Sequence, residues 1–292
     1  MSSQKKSVSL VLGSGGARGL AHIGVIRWLE EHNYEIKSIS GCSIGALIGG
    51  IYAIGALDTF EQWVRAINRR DILALLDPAL DRSGLIKGDK IINALKTLVG
   101  DAMIEDLPIA FTAVATNIKT GKEVWIKKGP IFEAIRASIS LPLLFTPFSY
   151  KGQTLIDGGV VNPVPIGPVF GDETDLIIAV NLCAAAGNGL LNQNKNVVKK
   201  TEEPSPIREV INNFIASITP TFSGSSEREF DMYDIAYQSF DAMQGSIARQ
   251  KLAAYPPDIT IEIPRSCCRT LEFDRANEMI EMGYRKAGEK LQ

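Results

Sequence analysis

The chain has 292 residues, 45% of them hydrophobic and 22% charged. That is the make-up of a folded globular protein of one or two domains, and it excludes disordered, collagen-like and coiled-coil chains. Thirty-one lysines and arginines against 33 aspartates and glutamates leave a net charge of −2, so there is no basic excess to neutralise phosphates and nucleic acid is not an expected partner.

Four scattered cysteines (Cys42, Cys183, Cys267 and Cys268) and two histidines make neither a disulfide framework nor a zinc pattern; a reduced, cytoplasmic setting is expected. Lys5 and Lys6 precede only a six-residue apolar run, too short for the apolar core of a signal peptide.

In chain order, residues 8–12 form an apolar run ending at Gly13, and 17–32 have helical spacing. Residues 36–41 form a second strand and 44–56 a second helix. Residues 38–57 carry no charge and are long enough to span a membrane. Five glycines and an extended start over 36–40 favour a buried strand followed by a buried helix. Further strands are predicted at 109–115, 124–127, 155–157, 176–182 and 259–263, with helical patterns between them. This alternation predicts a three-layer α/β/α sandwich with a largely parallel central sheet.

Residues 184–206 break the rhythm, being polar and without apolar period, and a loop that long is usually functional or mobile. In 207–218, by contrast, Ile207, Val210, Ile211, Phe214, Ile215 and Ile218 fall at helical spacing. That stripe predicts an amphipathic helix, either docked on the core or serving with 187–204 as a cover at a pocket mouth. Its polar face is poor in lysine, which weakens an anionic-membrane role. One domain over 1–292 is expected, with a core at 8–182 and a helical part at 207–292 holding one strand.

Three motifs carry chemistry. Residues 13–19 (GSGGARG) lie between a strand and a helix, where backbone N–H groups can approach a negative ligand. Dinucleotide binding is excluded, because Arg18 takes the third glycine position and no acidic residue ends the second strand. Residues 41–45 (GCSIG) form a G-x-S-x-G pattern at a strand-to-helix turn, the setting of a nucleophile elbow presenting Ser43. His22 and His32 both precede Ser43, which excludes the α/β-hydrolase order Ser…Asp…His, and Ala46 stands where a Ser-x-x-Lys dyad needs lysine. His22 is expected to be structural and His32 solvated. Asp157-Gly158-Gly159 closes an apolar run; the aspartate is open to an approaching hydroxyl, though Asp-Gly is also ordinary turn chemistry.

In this order the three motifs resemble the patatin-like phospholipases, in particular the bacterial branch related to the neuropathy-target-esterase catalytic domain. The resemblance runs from Val8 to about Asn181 and, more loosely, through residues 256–258 to the final helix. It implies a Ser-Asp dyad with Ser43 as nucleophile and Asp157 as base. It also implies an oxyanion hole from the amides around Gly15, Gly16, Ala17 and Arg18. The family loop usually reads GGGxRG, whereas Ser14 holds the first glycine position here. Residues 134–148 resemble the family's run before DGG and are expected to wall the acyl pocket.

The implied activity is hydrolysis of lipid carboxylic esters, of phospholipase A, lysophospholipase or carboxylesterase type, through an acyl-enzyme. A thioesterase or acyltransferase on the same dyad, or a non-catalytic regulatory protein, are the alternatives. No cofactor or metal is implied, and the expected partners are a lipid or acyl-ester substrate and, transiently, a membrane surface.

Overall fold

A computed structural model describes residues 5–78, 86–185 and 232–292. The predicted cover at 187–204 and the amphipathic helix at 207–218 lie outside the described residues. Eight strands form one sheet: β1 (Lys6–Leu12), β2 (Tyr34–Cys42), β3 (Ala110–Asn117), β4 (Lys122–Ile126), β5 (Phe148–Tyr150), β6 (Gln153–Asp157), β7 (Leu176–Ala184) and β8 (Ile259–Pro264). Their order is β5-β6-β3-β2-β1-β7-β8, with β4 also paired to β3. The run β3-β2-β1-β7-β8 is parallel, and β4, β5 and β6 attach antiparallel at the β3 side. The largely parallel α/β sandwich expected from the alternation is therefore the observed fold, with an antiparallel margin that the alternation did not show.

Both faces of the sheet are covered, as its apolar strands require. Side chains alternate along β1, so Leu10 and Leu12 face one way and Val11 the other. The first side holds the large core formed with α1 (Ala21–Glu31), α2 (Ile44–Ile54), α3 (Leu57–Ala66), α5 (Asp89–Val99), α6 (Ile131–Ser138) and the terminal α8 (Ala276–Leu291). On the second side Val11 packs with Val164, Ile166, Val169 and with Ala248 of α7 (Met232–Ala254). A short α4 (Arg69–Ala74) precedes α5.

The uncharged run at 38–57 resolves into the end of β2 and the buried α2, as its glycines predicted. Among the described residues no helix is long and apolar enough to cross a membrane. The helix predicted over 17–32 is divided: Gly16–Leu20 forms a 3-10 turn and α1 begins only at Ala21. The turn lets the chain leave β1 and fold over α2 before the longer helix starts. Terminal α8 lies against α1 with glycine at the crossing; a Cβ on Gly283 would stand 1.9 Å from the Ala21 carbonyl oxygen.

Candidate active site

Ser43 stands between the last residue of β2 and the first of α2. Its φ of 55° is positive, an arrangement that costs a non-glycine residue about 1–3 kcal/mol and persists only where the surroundings enforce it. The surroundings here are tight. A Cβ on Gly45 would lie 2.1 Å from the Leu12 carbonyl oxygen, so only glycine fits after the bend. The Ser43 amide donates to Ser138 Oγ at 2.9 Å, and that hydroxyl donates to the Val114 carbonyl at 2.6 Å. Ser138, at the end of α6, thus fastens the elbow to β3.

Strand register brings Asp157 alongside. Cys42 faces Val114 across β2 and β3, and Ala115 faces Asp157 across β3 and β6. Ser43, one residue past Cys42, therefore sits level with Asp157 at the same end of the sheet. Asp157 caps a 3-10 turn (Gly158–Val160), and its Oδ1 accepts from the Gly159 amide at 2.7 Å. The Cys42 thiol donates to the same oxygen at 3.8 Å. Burial holds that thiol protonated, its pKa raised well above the ordinary value with Asp157 adding to the shift.

Asp157 is completely buried, and its second oxygen, Oδ2, has no hydrogen-bond partner. Burial pushes its pKa up to about 6, opposed by the Ser43 hydroxyl, the Gly159 amide and the Cys42 thiol. Oδ2 itself makes no hydrogen bond, which leaves it open to a proton.

The glycine loop interlocks with both motifs. A Cβ on Gly19 would collide with Ile44, next to the serine, and one on Gly159 would lie 2.6 Å from Ser14 Oγ. The loop's amides are not equivalent. Ser14 N–H donates to the Pro163 carbonyl at 2.8 Å and Ala17 N–H to the Thr270 carbonyl at 2.7 Å. Ala17 is therefore removed from the expected set of oxyanion donors, its hydrogen already taken by a loop just before α8. The Arg18 amide lies inside the 3-10 turn, leaving Gly15 and Gly16 as the loop amides without an acceptor among the described residues.

The Arg18 side chain is buried and does structural work. Its guanidinium donates to the carbonyls of Gly15 and Leu182, to Thr270 Oγ1 and to Asp241 of α7, at 2.5 Å in the last case. Ser14 Oγ accepts from Gln244 Nε2, also of α7, at 3.2 Å. So the residue that departs from the family loop is held by a side chain some 230 positions away, a contact no local pattern could announce. Ser138 lies in the 134–148 block expected to wall the acyl pocket, and its hydroxyl bridges the Ser43 amide and the Val114 carbonyl.

His22 is completely buried with Nε2 2.9 Å from the Gly13 carbonyl and Nδ1 unpartnered. Burial lowers its pKa to about 4, against the backbone bond that raises it. It is a neutral residue that props the glycine loop, as expected of a structural histidine. His32 is half-buried rather than solvated, stacked on Trp28 with ring centroids 4.1 Å apart. Among the described residues no group of three or more His, Cys, Asp or Glu side chains could hold a metal ion.

A parallel α/β sheet with a serine at a strained strand–helix turn defines a class of hydrolase-like folds. Within that class, the model of the patatin-like phospholipase family matches residues 10–170, and the chain belongs to this family. An NTE family protein of Mycobacterium tuberculosis is 37% identical to it, over 99% of this chain and 92% of its own length. Lysophospholipase nte1 of Emericella nidulans is 30% identical over 98% of this chain, which spans only 18% of that larger protein. Among solved structures, VipD from Legionella pneumophila superposes with a TM-score of 0.49 at 14% identity, over 98% of this chain and 66% of that one.

Proposed function

We propose that this protein is a serine acyl hydrolase of lipid carboxylic esters, acting through Ser43 and Asp157. The observation that carries the proposal is the free, fully buried Oδ2 of Asp157 level with a strained Ser43. In the proposed reaction the Ser43 hydroxyl attacks the ester carbonyl while Asp157 Oδ2 takes its proton. An ordinary carboxylate is a feeble base for a hydroxyl, and burial offsets part of that weakness by raising Asp157 to about 6. The amides of Gly15 and Gly16 are the proposed donors to the oxyanion; each well-placed donor lowers the barrier by roughly 3–4 kcal/mol. Asp157 then returns its proton to the departing alcohol and activates water against the acyl-enzyme.

Family membership and the lysophospholipase among its relatives support a lipid ester as substrate. That all 292 residues form one hydrolase unit belongs to the same proposal, supported by the single sheet that gathers β1 through β8.

The test is turnover of a p-nitrophenyl ester, a lysophospholipid, a phospholipid and an acyl-CoA by the full chain. Ser43→Ala and Asp157→Asn should each lower kcat by at least about a thousand-fold, the scale lost with a nucleophile or its base, while circular dichroism stays that of the parent. Retention of most activity in either folded variant overturns the dyad, and exclusive turnover of acyl-CoA overturns the choice of ester.

A further inference from the structure

Three aromatic rings that the proposed reaction does not use stand half-exposed: Trp125 at 45%, Phe170 at 47% and Tyr255 at 45%. The Gly167–Val169 turn links them. A Cβ on Gly167 would lie 3.1 Å from the Trp125 ring. Phe170 closes the same Gly167–Val169 turn. The Phe170 and Tyr255 rings are 5.5 Å apart, centroid to centroid. Tyr255 continues the last turn of α7 from Lys251, whose carbonyl accepts its amide at 2.8 Å.

Lys251 and Trp125 in turn line one open hollow of about 470 Å³ together with Lys122, Glu123 and Val161. The Lys127 ammonium lies 5.7 Å from the centre of the Trp125 ring. Glu123 is already engaged by Lys251 at 2.7 Å and by the Trp125 indole at 2.9 Å. Lys122 and Lys127 have no carboxylate partner among the described residues.

This face adjoins the site. Val161 follows the Asp157 turn, and Trp125 pairs with Val114, which pairs with Cys42. Large exposed aromatic rings are surface that water does not favour, and here they stand beside lysines without a carboxylate partner among the described residues. The combination matches the two chemistries of a phospholipid surface, since amphipathic rings settle at headgroup level and lysines are drawn to anionic lipid.

We propose that this face seats the protein on an anionic lipid surface. Trp125, Phe170 and Tyr255 enter the headgroup layer, Lys122 and Lys127 meet lipid phosphates, and ester-bearing substrate reaches the Ser43 end of the sheet from the bilayer. The proposal rests on the lipid-ester reading for its purpose, but its test reads binding independently of turnover.

Full-length protein is sedimented with vesicles of phosphatidylcholine alone and of phosphatidylcholine mixed with phosphatidylglycerol, with and without brominated acyl chains. Binding should favour the mixed vesicles, and bromine should quench tryptophan emission in the parent protein but not in Trp125→Phe. Each lysine near an anionic surface is worth about five-fold in partitioning, so Lys122→Gln/Lys127→Gln should bind about 25-fold more weakly. The same variant should hydrolyse a short water-soluble ester as the parent does.

Equal partitioning of parent and variant, or emission untouched by bromine, overturns the proposal. So does a dimer formed without lipid and dissolved by Trp125→Ala/Phe170→Ala, which would assign the face to a second copy of the chain. Vesicle binding and quenching by a parent protein that hydrolyses no ester would uphold the seat and reject the lipid-ester reading alone.

Discussion

At Asp157 two demands pull against each other. As the proposed base it must shed its proton near neutrality, yet complete burial favours the protonated form and lifts its pKa to about 6. The rate of acylation should therefore rise with pH and level off above about 6, and a pH profile of kcat/KM for a water-soluble ester would show this limb. The same shift has a stability consequence. The folded protein holds the Asp157 proton up to about 6, the unfolded chain only to 3.8, so stability falls as pH rises through that window. Above it the buried charge is a standing cost. Asp157→Asn should then be more stable than the parent at pH 8, by about 1–3 kcal/mol in urea unfolding, and a less stable variant would contradict the burial argument.

His22 acts with the opposite sign. Its folded pKa lies near 4 against 6.5 ordinarily, so its contribution is complete above the higher value and is lost as pH falls towards the lower. Ser138 is a third case, felt through Ser43. Ser138→Ala leaves the Ser43 amide without its acceptor, which should cost about 1–3 kcal/mol of stability and lower kcat more than it raises KM.

At the scale of elements, the loop between β1 and α1 is the part most dependent on distant chain. Its amides and side chains are tied to Pro163, Thr270, Asp241 and Gln244. The glycine pattern of 13–19 was legible as a tight turn between a strand and a helix, but which of its amides are taken by distant carbonyls was not. Thr270 takes the Ala17 hydrogen from a position settled only when α8 docks. Likewise, helical spacing over 17–32 does not reveal a 3-10 turn, because both helix types place apolar residues three or four apart.

Docking of α8 on α1 depends on a close backbone approach at Gly283. Gly283→Ala should force the helices apart and lower stability by about 1–3 kcal/mol in thermal or urea unfolding. An unchanged melting temperature would mean that the crossing is looser than described.

At the scale of the whole molecule, what was legible is what local periodicity and motif context carry. Strands and helices alternate visibly, so the parallel sheet and the elbow at Ser43 could be read directly. Residues 38–57 are uncharged because they form the end of a covered strand and the buried helix packed on the sheet. The attachment of β4 and β6 antiparallel to β3, and of β5 antiparallel to β6, was not legible, since pairing direction is decided by connections and register rather than composition. Nor was the placing of Ser43 level with Asp157 derivable from spacing. It depends on Cys42–Val114 and Ala115–Asp157 being in step across three strands, and family resemblance supplied the expectation instead.

The central claim is that Ser43 is a nucleophile activated by Asp157. Reaction with a fluorophosphonate, followed by peptide mass spectrometry, tests it most directly. The claim predicts one phosphonyl adduct per chain, on Ser43, forming at a rate that rises through about pH 6 and collapses in Asp157→Asn. An adduct on another residue, or unchanged labelling of Ser43 in folded Asp157→Asn, would contradict it.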